Sequence, residues 1–229
     1  MTYNYTTALH KLTGKIPKGR EIKNENLIPF WAKSADFMQT FVPYVTIIGD
    51  SREQKDWIET ACKTYNIGFE KAVKNKSNNT ENLKEGDYTF KIDMGKLSIS
   101  YLNEVAYERK GSLSELYNNC KGNDRERIER EFNRFIDKKY KKVVLLIEVG
   151  RNLLDLVDKA FRYPIGYKKW ETKNVGNTIF TSLMSWKQPN NKDFEIIQSD
   201  KHIELFWFML LDMFYYFRGD VKERGKLCL

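Results

Sequence analysis

Cysteine and histidine are scarce in this chain, and neither forms a recognisable site. The three cysteines, Cys62, Cys120 and Cys228, show no CxxC or Cys/His spacing. This argues against a disulfide framework and a zinc site, and predicts reduced thiols in a cytoplasmic protein. His10 and His202 show no nucleophile partner, so His202 is predicted to start a helix rather than to catalyse a reaction.

Signals for secretion and membrane insertion are also lacking. Residues 2–5 have neither the basic nor the apolar region of a signal peptide, so we expect a protein that is not secreted. The most apolar stretch, residues 203–217, is shorter than the roughly 20 residues that span a bilayer, and Glu204 and Asp212 interrupt it. It is predicted as a core helix, with a homodimer interface as the alternative. The sequence also contains no repeat, low-complexity tract or glycine-rich phosphate loop.

Positive charge is in excess. Lysine and arginine number 39 against 31 acidic residues, which gives a formal net charge of +8 and a pI near 9.2. This balance favours an acidic partner, nucleic acid first. The alternative is a compositional bias, because Lys and Asn are abundant throughout the chain. Residues 14–26 are basic and polar, and are predicted to contact DNA or to pack on the domain or its dimer mate.

Short apolar runs predict a β-sheet with flanking helices. Residues 143–148 are apolar without alternation, which is typical of a central parallel strand covered on both faces. Residues 124–140 have helical periodicity, with a predicted buried stripe of Ile128, Phe132, Phe135 and Ile136. Further strands are predicted at 44–48, 67–73, 88–92, 97–101, 105–110 and 194–197, further helices at 152–161, 177–186 and 203–217, and a polar loop at 74–85.

An acid and a base share one face of the predicted strand at 105–110. Side chains alternate along a strand, so Glu108 and Lys110 project from the same side. A second acid, Asp87, follows Gly86 at the start of another strand. Two carboxylates and a lysine suit a divalent metal beside an anionic substrate, because oxygen ligands hold Mg²⁺ and the lysine offsets developing charge. In a chain this rich in Glu and Lys, the alternative is a solvated strand face.

Three short blocks extend this pattern. They are Asp50-Ser51-Arg52-Glu53 after an apolar strand, Gly86-Asp87-Tyr88, and Glu108-Arg109-Lys110. In this order they resemble the D-x-R-E, G-D-Y/F and E-R-K motifs of the XPF-family nuclease domain, within the PD-(D/E)XK superfamily. Residues 143–148 resemble the family's L-L-I-E strand. The resemblance covers about residues 45–217 and implies an α/β, restriction-endonuclease-like core with a central mixed β-sheet flanked by helices.

The resemblance implies a metal-dependent DNA endonuclease. Asp87 and Glu108 would hold Mg²⁺ or Mn²⁺, with the Arg109 carbonyl as a third ligand and Asp50 nearby. Lys110 would position or activate the attacking water and stabilise the pentavalent phosphate. The candidate DNA contacts are Arg52, Arg109, Arg125 and Arg127.

Several of these residues have structural alternatives. Asp50 is equally suited to cap a helix that begins near Arg52, and Arg52 and Glu53 could form an internal salt bridge that shapes the pocket. Arg125 and Arg127 could pair with Glu129 and Glu131 on the same helix.

The family usually has an acid four residues after its lysine, where this sequence has Ser114, with Glu115 one place later. Either the helix start is shifted by one residue and Glu115 takes the place of that acid, or the acid is missing. With Ser112 as N-cap, Glu115 would complete a capping box, which is a structural role that needs no catalysis.

The resemblance also implies an organisation and a setting. We divide the chain into an N-terminal extension (1–43), an XPF-type nuclease domain (44–217) and a C-terminal tail (218–229). No helix-hairpin-helix domain follows, so a stand-alone enzyme of phage or mobile-element type is expected, in a bacterial or phage-infected cell. It would act on branched or flap DNA in repair, recombination or phage DNA processing, as a homodimer or with a protein partner that directs it. The alternative is a non-catalytic DNA-binding or scaffold protein, against which the intact D…ExK pattern argues.

Overall fold

The structure is a computed structural model that describes residues 5–51, 57–72, 83, 85–148, 162–165, 168–186 and 194–227. The chain divides into two compact units. The first comprises residues 1–83, 88–102 and 206–229, and the second comprises residues 84–87 and 103–205. The predicted helix at 152–161 and most of the predicted loop at 74–85 lie outside the described residues.

The first unit contains four paired strands in the order β2-β1-β3-β4. Strand β1 pairs in parallel with β2 and antiparallel with β3, and β3 pairs antiparallel with β4, so both kinds of pairing occur. The elements are α1 (Tyr5–Thr13), α2 (Ala35–Thr40), β1 (Val45–Asp50), α3 (Trp57–Tyr65), β2 (Gly68–Ala72), β3 (Tyr88–Asp93) and β4 (Ser98–Ser100), with 3-10 turns at Glu25–Leu27 and Phe30–Ala32.

Aromatic rings form much of the core of the first unit. Phe41 contacts Phe37, Phe90, Phe214 and Phe217, with ring centroids 5.7 to 6.2 Å apart. Phe214 and Phe217 belong to the predicted core helix. This helix is confirmed and runs further than predicted, as the last helix of the chain, His202–Leu227. His202 begins it, as predicted.

The basic N-terminal segment packs on the first unit. The Arg20 guanidinium donates to the Val45 carbonyl at 3.0 Å and to the Thr46 hydroxyl at 2.9 Å. The Tyr44 hydroxyl donates to the Pro17 carbonyl at 2.7 Å. The contacts of Pro17 and Arg20 therefore match the predicted alternative, in which this segment packs on the domain.

The second unit contains a parallel three-stranded arrangement in the order β5-β6-β9 and a separate antiparallel hairpin, β7-β8. The elements are β5 (Val105–Lys110), α4 (Leu113–Asn119), α5 (Gly122–Asp137), β6 (Lys142–Glu148), β7 (Arg162–Ile165), β8 (Lys168–Glu171), α6 (Thr172–Trp186), β9 (Phe194–Ser199) and the start of α7 (His202–Leu227). From Phe206 onward, α7 belongs to the first unit. The predicted α/β class, with mixed strand pairing and flanking helices, is confirmed.

The core of the second unit joins α5 to the parallel strands. Ile128, Phe132 and Phe135 are buried in one cluster with the β6 side chains Val143, Leu145 and Ile147. Residues 142–147 of β6 are all buried, as expected for a strand covered on both faces. The fourth residue of the predicted stripe was wrong: Ile136 is exposed, because the buried stripe runs through Ile128, Phe132 and Phe135 and Ile136 lies at its edge.

No described helix has both the length and the hydropathy that crossing a bilayer requires.

Candidate active site

Asp87 is held against β5 by backbone hydrogen bonds. Its N–H donates to the Tyr107 carbonyl at 2.8 Å, and its carboxylate accepts from the Arg109 N–H at 2.7 Å. Gly86 makes this approach possible: it adopts a φ of +76°, and a Cβ there would lie 3.1 Å from the Ala106 Cβ. Tyr107 and Arg109 flank Glu108 in sequence, so the structure brings the two predicted acids together.

Glu108 and Lys110 form a buried ion pair. Glu108 is 6% exposed and Lys110 is 4% exposed, and the Lys110 ammonium contacts the Glu108 carboxylate directly. The alternative of a solvated strand face is therefore wrong. Removing a charged side chain from water costs on the order of several kcal/mol per ion, before the attraction between the two charges is counted. A pair of this kind at the end of a strand is a functional-site candidate.

The surroundings of Lys110 keep its side chain protonated. Burial alone lowers the pKa of Lys110, but the charge and hydrogen bond of Glu108, together with the charges of Asp87 and Glu115, outweigh burial and raise the pKa above its usual value. An ammonium group carries no lone pair. While it is paired with Glu108, Lys110 can therefore donate hydrogen bonds and offset negative charge.

Glu115 lies in the first turn of α4 and beside Lys110. Ser112 caps the helix by accepting from the Glu115 N–H at 3.1 Å, as predicted. The Glu115 carboxylate accepts from the Gly111 N–H at 2.9 Å, one residue before the N-cap. Its other oxygen lies 4.0 Å from the Lys110 Nζ. Glu115 thus has the structural capping role and also adds negative charge beside Lys110.

The Arg109 side chain is engaged by a carboxylate at the end of β6. Its Nη1 lies 2.8 Å from the Glu148 Oε1, and the second oxygen of Glu148 lies 3.0 Å from the His202 Nε2. The sequence motifs gave Glu148 no role. Its position at the end of β6 could have indicated one, because parallel strands such as β5 and β6 end at the same edge of a sheet, where polar residues tend to converge.

Glu131 of α5 is a further acid that sequence reasoning missed. Burial first, and then the Glu108 charge, raise the pKa of Glu131 to about 7, against the opposing charges of Lys110, Arg134 and Arg127. The position gives the signal: Glu131 lies three residues after buried Ile128 and next to buried Phe132, on the inward side of the helix.

We expect the Glu131→Gln variant to become progressively more stable, relative to the unchanged protein, as pH rises from about 4.5 to about 7. The folded-state pKa of Glu131 lies above the ordinary value of 4.5, so the folded protein loses stability as this carboxyl ionises through that window. Urea denaturation at several pH values, in EDTA, measures the difference. Glu126→Gln, on the exposed side of the same helix, is the control. Parallel stability curves for the unchanged protein and Glu131→Gln would contradict the assignment.

The predicted DNA contacts on α5 are paired within the helix. The Arg125 Nε lies 2.7 Å from the Glu129 Oε1, which is the pairing named as the alternative. The Arg127 Nε lies 3.7 Å from the Asp124 Oδ1 rather than on Glu131. Neither pair is buried, and the DNA role of both arginines stays a prediction.

Asp50 lies at the carboxyl end of β1 in the first unit, where it is buried. Arg52 and Glu53 lie outside the described residues. The helix that follows is described from Trp57. The catalytic role of Asp50 therefore stays a prediction, as does its alternative as a helix cap.

No group of three or more Asp, Glu, His or Cys side chains in the described ranges is arranged to hold a metal ion. Asp87 and Glu108 supply carboxylate oxygens, the ligand type that Mg²⁺ and Mn²⁺ prefer. A cation bound to them would compete with Lys110 for Glu108.

Comparisons with known proteins give a distant likeness among solved structures. No protein-family model matches the chain, and no curated protein matches it. Among solved structures, XPF from Aeropyrum pernix is similar, with a TM-score of 0.44 and 13% sequence identity over 78% of this chain and 69% of that chain.

Proposed function

We propose that this protein is a metal-dependent DNA endonuclease whose site is built from Asp87, Glu108 and Lys110. The observation that carries the proposal is the buried Glu108–Lys110 pair beside Asp87 at the end of β5. The fold gains little stability from burying such a pair, because desolvation offsets the attraction. A chemical use of the pair explains why it is there.

Asp87 and Glu108 are the residues that would hold the cation, Mg²⁺ or Mn²⁺, with the Arg109 carbonyl as a further oxygen ligand. When bound, the cation would polarise the phosphoryl oxygen and lower the pKa of a bound water.

Lys110, which contacts Glu108, would position or activate the attacking water. It would also offset charge on the pentavalent phosphate.

DNA is the proposed substrate because the chain carries a net charge of +8 and the site suits a phosphodiester. The resemblance to the XPF family extends the proposal to branched or flap DNA, in repair, recombination or phage DNA processing. The homodimer and the directing protein partner stay predictions.

The affinity for DNA should fall steeply as salt rises. Each phosphate neutralised by the protein releases counterions, so a log-log plot should have a slope near −0.9 per phosphate for duplex DNA. Fluorescence anisotropy with labelled duplex, in EDTA and at several salt concentrations, measures the slope. A flat response would mean that the excess charge reflects composition alone.

A non-catalytic DNA-binding or scaffold protein is the second candidate. It is favoured by the absence of a ready-made group of three metal-ligating side chains in the described part of the chain. A calorimetric titration with Mg²⁺ or Mn²⁺ separates the two, because only the enzyme requires binding that depends on Asp87 and Glu108.

A further inference from the structure

Glu85 is a buried carboxylate that the proposed chemistry does not use. It is 4% exposed, and two cations hold it: the Nε of Arg134, on α5, at 2.7 Å, and the ammonium of Lys138, the C-cap of α5, in direct contact. A buried carboxylate is costly unless it is paired and hydrogen-bonded. Two cations for one acid make this a strong anchor between α5 and the residues that follow Glu85.

Only Gly86 separates this anchor from Asp87. Consecutive Cα atoms are about 3.8 Å apart, so one intervening residue leaves little slack. Gly86 is itself confined, because the Tyr107 carbonyl would lie 3.3 Å from a Cβ at this position. Asp87 is then fixed to β5 by its bonds to Tyr107 and Arg109. The segment is thus held by α5 on one side and β5 on the other.

Arg134 lies on the same side of α5 as Glu131, because residues three apart are neighbours on a helix surface. Lys138 follows directly after the helix, at its C-cap. The Glu131 charge interacts with those of Glu108 and Lys110, so this face borders the site. The anchor and the site therefore share one helix face.

We propose that Glu85 is a positioning residue, which through Arg134 and Lys138 holds Asp87 in register beside Glu108. The inference rests on the proposed nuclease function. A loose Asp87 would weaken metal binding and misplace the metal relative to the phosphate. Small displacements matter, because an error of about 1 Å in a catalytic group can cost on the order of a hundredfold in rate.

Arg134 and Lys138 have a competing role. They are 49% and 39% exposed at the side chain, so they could contact DNA phosphates instead of acting through Glu85. The two roles differ in what is lost. A phosphate contact changes DNA affinity, whereas a positioning residue changes the rate at saturating DNA and the metal requirement.

Glu85→Gln tests the proposal, because it keeps the side-chain shape and removes the charge. We expect at least about a tenfold fall in the single-turnover rate at saturating DNA, and a higher Mg²⁺ concentration for half-maximal rate, with DNA affinity within about twofold. Glu85→Asp, which keeps the charge, should retain more of the rate. Glu104→Gln is the matched control, since Glu104 pairs with Lys141 in the same unit and lies away from the site segment.

Hydrogen exchange provides a readout that does not depend on activity. The Arg109 amide donates to the Asp87 carboxylate, so its protection should fall at least about tenfold in Glu85→Gln, while the β6 amide of Leu145 stays protected. Unchanged Arg109 exchange would overturn the proposal, even if the protein cleaves no DNA and the nuclease proposal fails separately.

Lys138→Met covers the case in which Glu85→Gln does not fold. It weakens the anchor from its exposed side and should lower the rate and the Arg109 protection in the same direction. A loss of DNA affinity with unchanged rate at saturation and unchanged exchange would assign Lys138 to phosphate and overturn the positioning role.

Discussion

Glu108→Gln should abolish Mg²⁺-dependent DNA cleavage while leaving DNA affinity nearly unchanged. The substitution keeps the shape of the side chain and an oxygen that can accept from Lys110, but it removes the charge that would bind the metal. We expect a fall in single-turnover rate of at least roughly a hundredfold to a thousandfold, the scale for losing one preorganised electrostatic contribution.

Asp87→Asn should have the same effect for the same reason. Its side-chain oxygen can still accept from the Arg109 N–H, so the backbone contact is kept while the charge is lost. Circular dichroism and DNA binding check that each variant is folded. Glu104→Gln, in the same unit, should cleave at the unchanged rate. Full activity in Glu108→Gln would remove Glu108 from the metal site.

Lys110→Ala should lower the single-turnover rate by on the order of a hundredfold or more while leaving DNA binding nearly intact. Because the pair is buried, the change also leaves Glu108 without its cation. Removing one partner of a buried pair typically costs about 3–5 kcal/mol of stability. Urea denaturation and rapid-quench cleavage measure the two effects separately.

Lys110→Arg is the sharper variant, because it keeps the charge and changes the reach and geometry. Stability should be closer to that of the unchanged protein than in Lys110→Ala, while the rate stays low because the guanidinium does not reproduce the position of the ammonium. Near-wild-type cleavage by both variants would show that Lys110 is outside the mechanism and that the E-R-K match is a coincidence of composition.

Local patterns could be predicted from the sequence because local physics determines them. The strand Val105–Lys110 has the predicted bounds, and Ser112 caps the next helix as the capping-box pattern indicates. The continuous apolar run of β6 correctly predicted a strand buried on both faces. Each of these depends on side chains within a few residues of one another.

Long-range pairing could not be predicted. The placement of Asp87 beside Glu108 depends on a register between segments about 20 residues apart, which strand patterns do not determine. Glu85 fell in a segment predicted to be a polar loop, yet it is buried because α5 and its C-cap supply two cations from 49 and 53 residues away. The raised pKa of Glu131 could not be predicted either, because it depends on burial and on the charge of Glu108 on a different element.

Single-turnover cleavage of end-labelled flap, fork, nicked and linear DNA over a series of Mg²⁺ concentrations, with Glu108→Gln alongside, tests whether this protein is a metal-dependent nuclease. We expect cleavage of at least one substrate that rises and saturates with Mg²⁺, stops in EDTA, and is absent from Glu108→Gln throughout. Cleavage that persists in EDTA, equal cleavage by Glu108→Gln, or no cleavage of any substrate with Mg²⁺ or Mn²⁺ would contradict it.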